Sequence, residues 1–384
     1  MSERVPQVMR TLVSRRDLLA SGGAGLAGAM VGRHASASRE ALAQPRPTPW
    51  RGVNLGGWLV LEKWMTPSLF EGMKSTDEYS FCLEAGDKAA GRLRKHRDTF
   101  ITEADFRWIA ARGLNAIRLP VGYWVLASDR PFIAAREHFE RALRWSTKHG
   151  LRVLVDLHAA PGSQNGWDHS GHSGALNWHA DKGNIARTLD VVEALAQFCR
   201  PHACVAGIEL LNEPRWDVPM PTLRDYYLQA YARVRRHLPP ERCAVVLHDG
   251  FRPFDWEDFM QGKPQSDVKL DTHIYQCYTE EDRKMDAAAH ARRALGRPEE
   301  FAKMGRAFAI IVGEWSVALD PKSLEGLTGF ARETAIRTYG QAQLLSYERT
   351  DGWFYWSYKL EKPWDWNFRH CVERGLLPDR YGDG

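Results

Sequence analysis

Eight short, apolar, β-prone runs recur along this chain, at residues 52–55, 116–121, 152–158, 208–212, 244–248, 270–275, 309–314 and 353–356. Between most of them lie stretches with 3.6-residue periodicity, at 103–112, 134–149, 185–199, 223–237, 287–303 and 329–347. Several of these close on a helix stop just before the next run: Gly113, Gly150, Pro201, Pro239 and Gly305. Strand and helix in alternation imply a parallel sheet clothed by helices. Eight such units in one domain predict an α/β fold closed into a single (β/α)8 TIM barrel rather than an open doubly wound sheet. The absence of a G-x-G-x-x-G after the first run argues further against a dinucleotide fold.

In such a barrel the chemistry gathers where strands stop. The first run leads into Asn54 and, soon after, Glu62; the second ends at Arg118, the third at Asp156 and His158. The fourth ends at Asn212-Glu213-Pro214, the fifth at His248-Asp249, the sixth at His273 and Tyr275. The seventh ends at Gly313-Glu314-Trp315 and the eighth at Trp356. Glu213 and Glu314 each stand where a mostly apolar run stops, and a carboxylate there is costly unless it is paired or used. Strands four and seven face one another across a barrel mouth. Two carboxyls so placed are what glycoside hydrolysis requires, with a separation of roughly 5–5.5 Å for retention of configuration and more for inversion.

Neighbouring residues suggest the roles. Burial and a second carboxylate would raise the Glu213 pKa, making it the proton-carrying acid/base. Glu314 would attack as the ionised nucleophile, held so by the permanent cation of Arg118. Asn212 is expected to donate to a sugar 2-hydroxyl, with His158, His273 and Tyr275 lining the sugar pocket and Trp356 stacking on a sugar face. Trp167 and Tyr278, in the loops after the third and sixth runs, are further sugar platforms. No metal-ligand spacing is present, and the chemistry calls for neither metal nor cofactor.

The first 43 residues are read as a twin-arginine export signal. Arg15-Arg16 precede an Ala/Gly-rich apolar stretch that ends in Ala41-Leu42-Ala43, a small-x-small cleavage site. Residues 44–49 form a Pro-rich spacer, and 50–384 form the catalytic domain. The leader carries six Arg against three acids, so most of the formal +4 resides there and the domain is close to neutral. A near-neutral domain lacks the footprint of a nucleic-acid binder and suits an uncharged partner, an oligo- or polysaccharide. The exported domain is expected to work as a monomer in the periplasm or outside the cell, away from the membrane. Six Cys show no CxxC or zinc pattern and are read as buried thiols, with disulfides left open.

Taken together, these motifs resemble glycoside hydrolase family 5, and within it the exo-β-1,3-glucanase branch. The resemblance rests on Arg51-Gly-Val-Asn-Leu-Gly-Gly-Trp-Leu-Val-Leu-Glu62 with Met65-Thr-Pro-Ser-Leu-Phe70, and on Asn115-Ala-Ile-Arg-Leu-Pro120. Asp156-Leu-His-Ala-Ala-Pro-Gly-Ser-Gln-Asn-Gly166, Leu211-Asn-Glu-Pro214, His273-Ile-Tyr-Gln276 and Gly313-Glu-Trp315 complete it. It spans residues 50–359. It implies cofactor-free, retaining hydrolysis of a β-glucan, with Glu213 and Glu314 in the roles above and Glu62 hydrogen-bonding the terminal glucose so that the pocket is closed for exo action. That branch clamps the departing sugar between two Phe side chains. Trp167 and Tyr278 occupy the matching positions here, which keeps an aromatic clamp but leaves the linkage open. The 171–180 segment also departs from the branch. A β-1,4- or β-1,6-glucanase, or a transglycosylase, on the same barrel remains the alternative. A sugar-binding protein without catalysis would be expected to lack one of the two carboxylates.

Overall fold

The computed structural model describes residues 48–174, 176–262 and 267–382. The expected export signal and all but the last two residues of the spacer lie outside these. Eight strands form a closed barrel, every neighbouring pair parallel, with the last strand hydrogen-bonded to the first. They are β1 (Trp50–Asn54), β2 (Ala116–Gly122), β3 (Arg152–Ala159), β4 (Val205–Glu209), β5 (Ala244–His248), β6 (Val268–Ile274), β7 (Ala309–Trp315) and β8 (Gly352–Tyr355). The expected (β/α)8 architecture is the observed one.

The largest displacement from expectation is at β4, which starts and stops three residues earlier than the run 208–212. Beyond Glu209 the backbone leaves the regular ladder but stays tied to both neighbours: Leu210 N–H donates to Val246 O, and Asn212 N–H donates to Leu157 O. Helices α1 (Glu78–Ala85), α2 (Ala89–Thr99) and α3 (Glu103–Ala111) lie between β1 and β2, and only the third was legible from periodicity. In α2 the charged face dominates, and only Ala89, Leu93, His96 and Arg97 are buried. The remaining helices are α4 (Arg136–Lys148), α5 (Lys182–Cys199), α6 (Met220–Arg235), α7 (Ala287–Met304), α8 (Gly329–Tyr347) and a short α9 (Phe368–Glu373). The β5–β6 connection has no helix among its described residues. All six Cys are unbonded, four of them buried and Cys204 and Cys277 partly so.

Side chains alternate inward and outward along a strand, and the inward set is layered. At the floor, Trp50, Ala116, Leu154, Val246, Ile311 and Phe354 form a small apolar plug. Glycines make room for it: a Cβ on Gly352 would come 2.6 Å from the Trp50 side chain. Above this plug stand Asn54, Arg118, Asp156, Glu209 and Asp271, with Gly313 at the same level of β7, so the middle of the barrel is a fully enclosed polar layer. The next step reaches the mouth. Strict alternation would turn Glu314 outward after Gly313. Register shifts break the β7 ladder on both sides, between Thr272 and His273 of β6 and between Val312 and Trp315 toward β8. Such irregularities re-aim side chains.

Candidate active site

Glu213 is carried on strained backbone. Its φ of 43° is left-handed, uncommon for a residue with a side chain. The loop after β3 holds it there. Gln164 Nε2 donates to Asn212 O at 2.9 Å and to His158 O at 2.8 Å, and Asn165 Nδ2 donates to Glu213 O at 3.2 Å. The Gln-Asn pair of the β3 motif thus acts as a clamp on the β4 terminus.

Glu213 and Glu314 converge on one imidazole. His273 Nδ1 lies 2.6 Å from Glu213 Oε1 and 3.4 Å from Glu314 Oε2. The two oxygens are therefore no farther apart than the sum of those distances, about 6 Å, close to the carboxyl spacing of retaining glycosidases and below that of inverting ones.

Arg118 organises the layer beneath. Its guanidinium donates to Glu314 Oε1 at 3.0 Å, Glu209 Oε2 at 2.7 Å, Asn54 Oδ1 at 3.0 Å and Asn212 Oδ1 at 2.7 Å, and it lies 3.1 Å from Asp156 Oδ2. A planar five-donor fork suits this; an ammonium could not serve so many acceptors. Burial and the neighbouring Glu314 push the Glu213 carboxyl well above the usual carboxylate range. Burial also raises Glu314, but Arg118, His158 and the Tyr275 hydroxyl, 2.7 Å from its Oε2, oppose the rise. Of the pair, Glu213 is the one disposed to keep its proton. With Asn212 Oδ1 taken by Arg118, the Asn212 amide is left with its NH2 as donor, which finds no partner among the described residues.

His158 gives Nδ1 to Asp156 Oδ2 at 2.6 Å, and its ring lies parallel to Trp356, centroids 5.4 Å apart. The Trp356 ring is admitted by Gly56, where a Cβ would come within 2.9 Å of it. Glu62 is buried, its Oε2 accepting from Trp64 Nε1 at 2.9 Å. Burial, then the charge of Asp168, raises the Glu62 carboxyl well above its ordinary range. The loop that carries Glu62 is pinned by Glu78, which accepts from Leu61 N–H, Trp124 Nε1 and Arg97. Trp167 belongs to an aromatic group with Trp216 and Phe251, centroids 5.9 Å away in each case. Tyr278 is more than half exposed and belongs to a second group with Tyr275 and Trp366.

His273, expected in the sugar pocket, sits beside Glu213. Its side chain is enclosed and its Nδ1 is committed to Glu213, so it works through that carboxyl. Sequence reading passed over Glu209 and Asp271, although each is an acid at an inward position of a predominantly apolar strand. It also passed over Asp168 and His169, whose Nε2 is 3.3 Å from Glu213 Oε2. Glu213, His248 and His273 bring potential ligand atoms within 4.8 Å of one another. However, Gly250 N–H donates to His248 Nδ1 at 2.9 Å, so the neutral ring carries its proton on Nε2 and offers no lone pair there.

Residues 84–362 match the model of the cellulase family, glycosyl hydrolase family 5. The chain is 36% identical over 373 residues to the glucan 1,3-beta-glucosidase of Blumeria graminis, covering 85% of this chain and 86% of that protein. It is also 36% identical over 376 residues to a probable glucan 1,3-beta-glucosidase A of Emericella nidulans, covering 87% and 91%. Among solved structures, the rutinosidase from Aspergillus niger shares the fold, with a TM-score of 0.73 over 86% of this chain and 98% of that one at 19% identity. With the closed barrel and its converging carboxyls, these matches place the chain in glycosyl hydrolase family 5, as a glycoside hydrolase.

Proposed function

We propose that this enzyme releases glucose from the non-reducing ends of a β-1,3-glucan with retention of configuration. The observation that carries this reading is the meeting of Glu213 and Glu314 at His273, which sets the two oxygens no more than about 6 Å apart. Glu314, beside Arg118, attacks the anomeric carbon as Glu213 gives its proton to the departing oxygen. A glycosyl ester then forms on Glu314. Glu213, now ionised, takes a proton from water as that water displaces the ester. The Asn212 amide donates to the 2-hydroxyl, a bond that strengthens as positive charge grows on the ring.

Glu62 holds hydroxyls of the terminal glucose and closes the glycone end. His158 and Tyr275 flank the sugar, Trp356 stacks beneath it, and Trp167 and Tyr278 grip the departing unit. The relatives named for glucan 1,3-beta-glucosidase activity support the β-1,3 preference. The twin-arginine leader supports export, with residues 50–384 as the catalytic domain. No helix among the described residues is long and apolar enough to cross a membrane.

Glu314→Ala should abolish turnover and recover part of it with azide, and laminarin should yield glucose alone. Oligosaccharide ladders from laminarin, or faster hydrolysis of a β-1,4- or β-1,6-glucan, would overturn the exo-β-1,3 reading.

A further inference from the structure

Behind Glu213 lies a second contact between carboxyl and imidazole that the reaction just described does not use. Asp271 Oδ1 accepts Gly313 N–H at 2.5 Å, which fixes the carboxyl, and Oδ2 is then 3.5 Å from His273 Nε2. Neither Oδ2 nor Nε2 has a hydrogen-bond partner among the described residues, and both side chains are fully enclosed. The opposite nitrogen of the same ring meets Glu213 Oε1 at 2.6 Å. Asp271, His273 and Glu213 therefore form a line leading from the barrel interior to the mouth. The fold makes specific room for it, since a Cβ on residue 313 would come 1.9 Å from Asp271 Oδ2.

The groups around this line come from every adjacent strand. Arg118 of β2 is 3.9 Å from Asp271 Oδ2, and Asp156 of β3 sits on the same guanidinium. Glu209 of β4 brings a ligand atom within 4.8 Å of Asp271 and His273, the His248 ring of β5 is 4.5 Å from that of His273, and Glu314 of β7 is 3.4 Å from its Nδ1. One guanidinium cannot neutralise so many enclosed carboxyls, so some of them must hold protons.

We propose that Asp271 is a positioning residue: it donates a proton-bearing Oδ2 to His273 Nε2 and so fixes the tautomer in which Nδ1–H donates to Glu213 Oε1. The inference rests on Glu213 being the acid/base. Its consequence is a choice of oxygen. With Oε1 occupied as an acceptor, the proton of Glu213 stays on Oε2, which His169 Nε2 approaches at 3.3 Å; it passes from Oε2 to the glycosidic oxygen and returns there from water in the second step. In the opposite tautomer Nδ1 would accept, and the Glu213 proton would be drawn into a 2.6 Å O–H···N contact directed away from the substrate. Burial raises the Asp271 carboxyl well above its ordinary range and lowers His273 well below its own, which agrees with a neutral acid beside a neutral ring.

The test compares Asp271→Ala and Asp271→Asn on aryl β-glucosides with good and poor leaving groups, together with nitrogen NMR of His273 in the wild-type enzyme. An Asn amide donates to Nε2 as a carboxylic acid does, and its oxygen still accepts from Gly313. The Ala variant should lose roughly tenfold or more in kcat/KM on the poor leaving group relative to the good one, a fraction of what general acid catalysis supplies. The Asn variant should recover most of that ratio, and the wild-type His273 should carry its proton on Nδ1. An Asn variant as impaired as Ala, or a proton on Nε2, would overturn the proposal. If Ala does not fold, Asn and the nitrogen shifts decide. The leaving-group dependence of Glu213→Ala tests the underlying acid/base assignment separately, because the His273 shifts do not depend on turnover.

Discussion

The Asp271 carboxyl fills the volume that a side chain on residue 313 would need, with a Cβ there reaching 1.9 Å from Oδ2 and 2.4 Å from Oδ1. Gly313 directly precedes Glu314 and donates its N–H to the same carboxyl. The irregular backbone that re-aims Glu314 is thereby tied to an acid on the neighbouring strand. Gly313→Ala should displace Asp271 and shift Glu314. The expected cost is about 1–3 kcal/mol of stability, typical of overpacking, with a fall in kcat larger than that loss alone would give. Denaturant unfolding beside kcat for the folded fraction checks this; unchanged kcat would show that the contact does not position Glu314.

Arg118 serves Asn54, Asn212, Glu209 and Glu314 by hydrogen bonds and lies beside Asp156. Arg118→Lys keeps the charge but not the fork. At least two buried acceptors would lose their donor, and breaking a buried pair costs about 3–5 kcal/mol. Chemical denaturation should show a loss of that order, and kcat/KM should fall about a hundredfold or more as the Asn212 amide and Glu314 lose their shared anchor. A Lys variant with near-native stability would mean that the layer relaxes around an ammonium, against the geometric argument.

The barrel was legible because its pattern is repeated eight times, so an error of three residues at β4 did not disturb the count. The sites at strand ends were legible for a local reason: Arg118, Asn212, Glu213 and Glu314 each interrupt an apolar run. Glu209 and Asp271 interrupt runs too, but one step deeper, where a single acid resembles an ordinary strand residue. Their meaning comes from Arg118, on another strand, and no one-dimensional pattern gives that distance. The inward turn of Glu314 was hidden likewise, since it depends on ladder shifts on both sides of β7. His273 was expected in the pocket wall. Its 2.6 Å contact with Glu213 and its 3.5 Å approach to Asp271 depend on which ring nitrogen faces which strand.

The enclosed acids give the fold an unusual pH dependence. Burial, partly opposed by Arg118, pushes Glu209 up from 4.5 to about 8. Between those values the folded chain holds a proton that the unfolded chain has released. The contribution of this group is therefore complete below about pH 4.5 and is lost as pH rises through about 8. Asp271 and Glu213 are raised as well and act with the same sign. Glu209→Gln retains an oxygen for Arg118 Nε and removes the titration. Thermal melts from pH 5 to 9 should show a shallower decline in Tm for the Gln variant than for the wild type. Parallel curves would show that Glu209 is ionised throughout.

Trp167 and Tyr278 belong to separate aromatic groups at the mouth, the first with Trp216 and Phe251, the second with Tyr275 and Trp366. If they grip the sugar on the leaving side, each should matter only when a sugar is there. Trp167→Ala and Tyr278→Ala should each lower kcat/KM for laminari-oligosaccharides about tenfold, the equivalent of one aromatic contact of roughly 1–1.5 kcal/mol. Hydrolysis of an activated aryl glucoside such as 2,4-dinitrophenyl β-glucoside, which depends far less on a sugar beyond the scissile bond, should change little. Tyr278 is the cleaner probe, because its ring is more than half exposed and its loss leaves no buried cavity. Equal losses on both substrates would mean that these rings shape the catalytic pocket itself, and the assignment of the leaving-sugar site would have to move elsewhere along the rim.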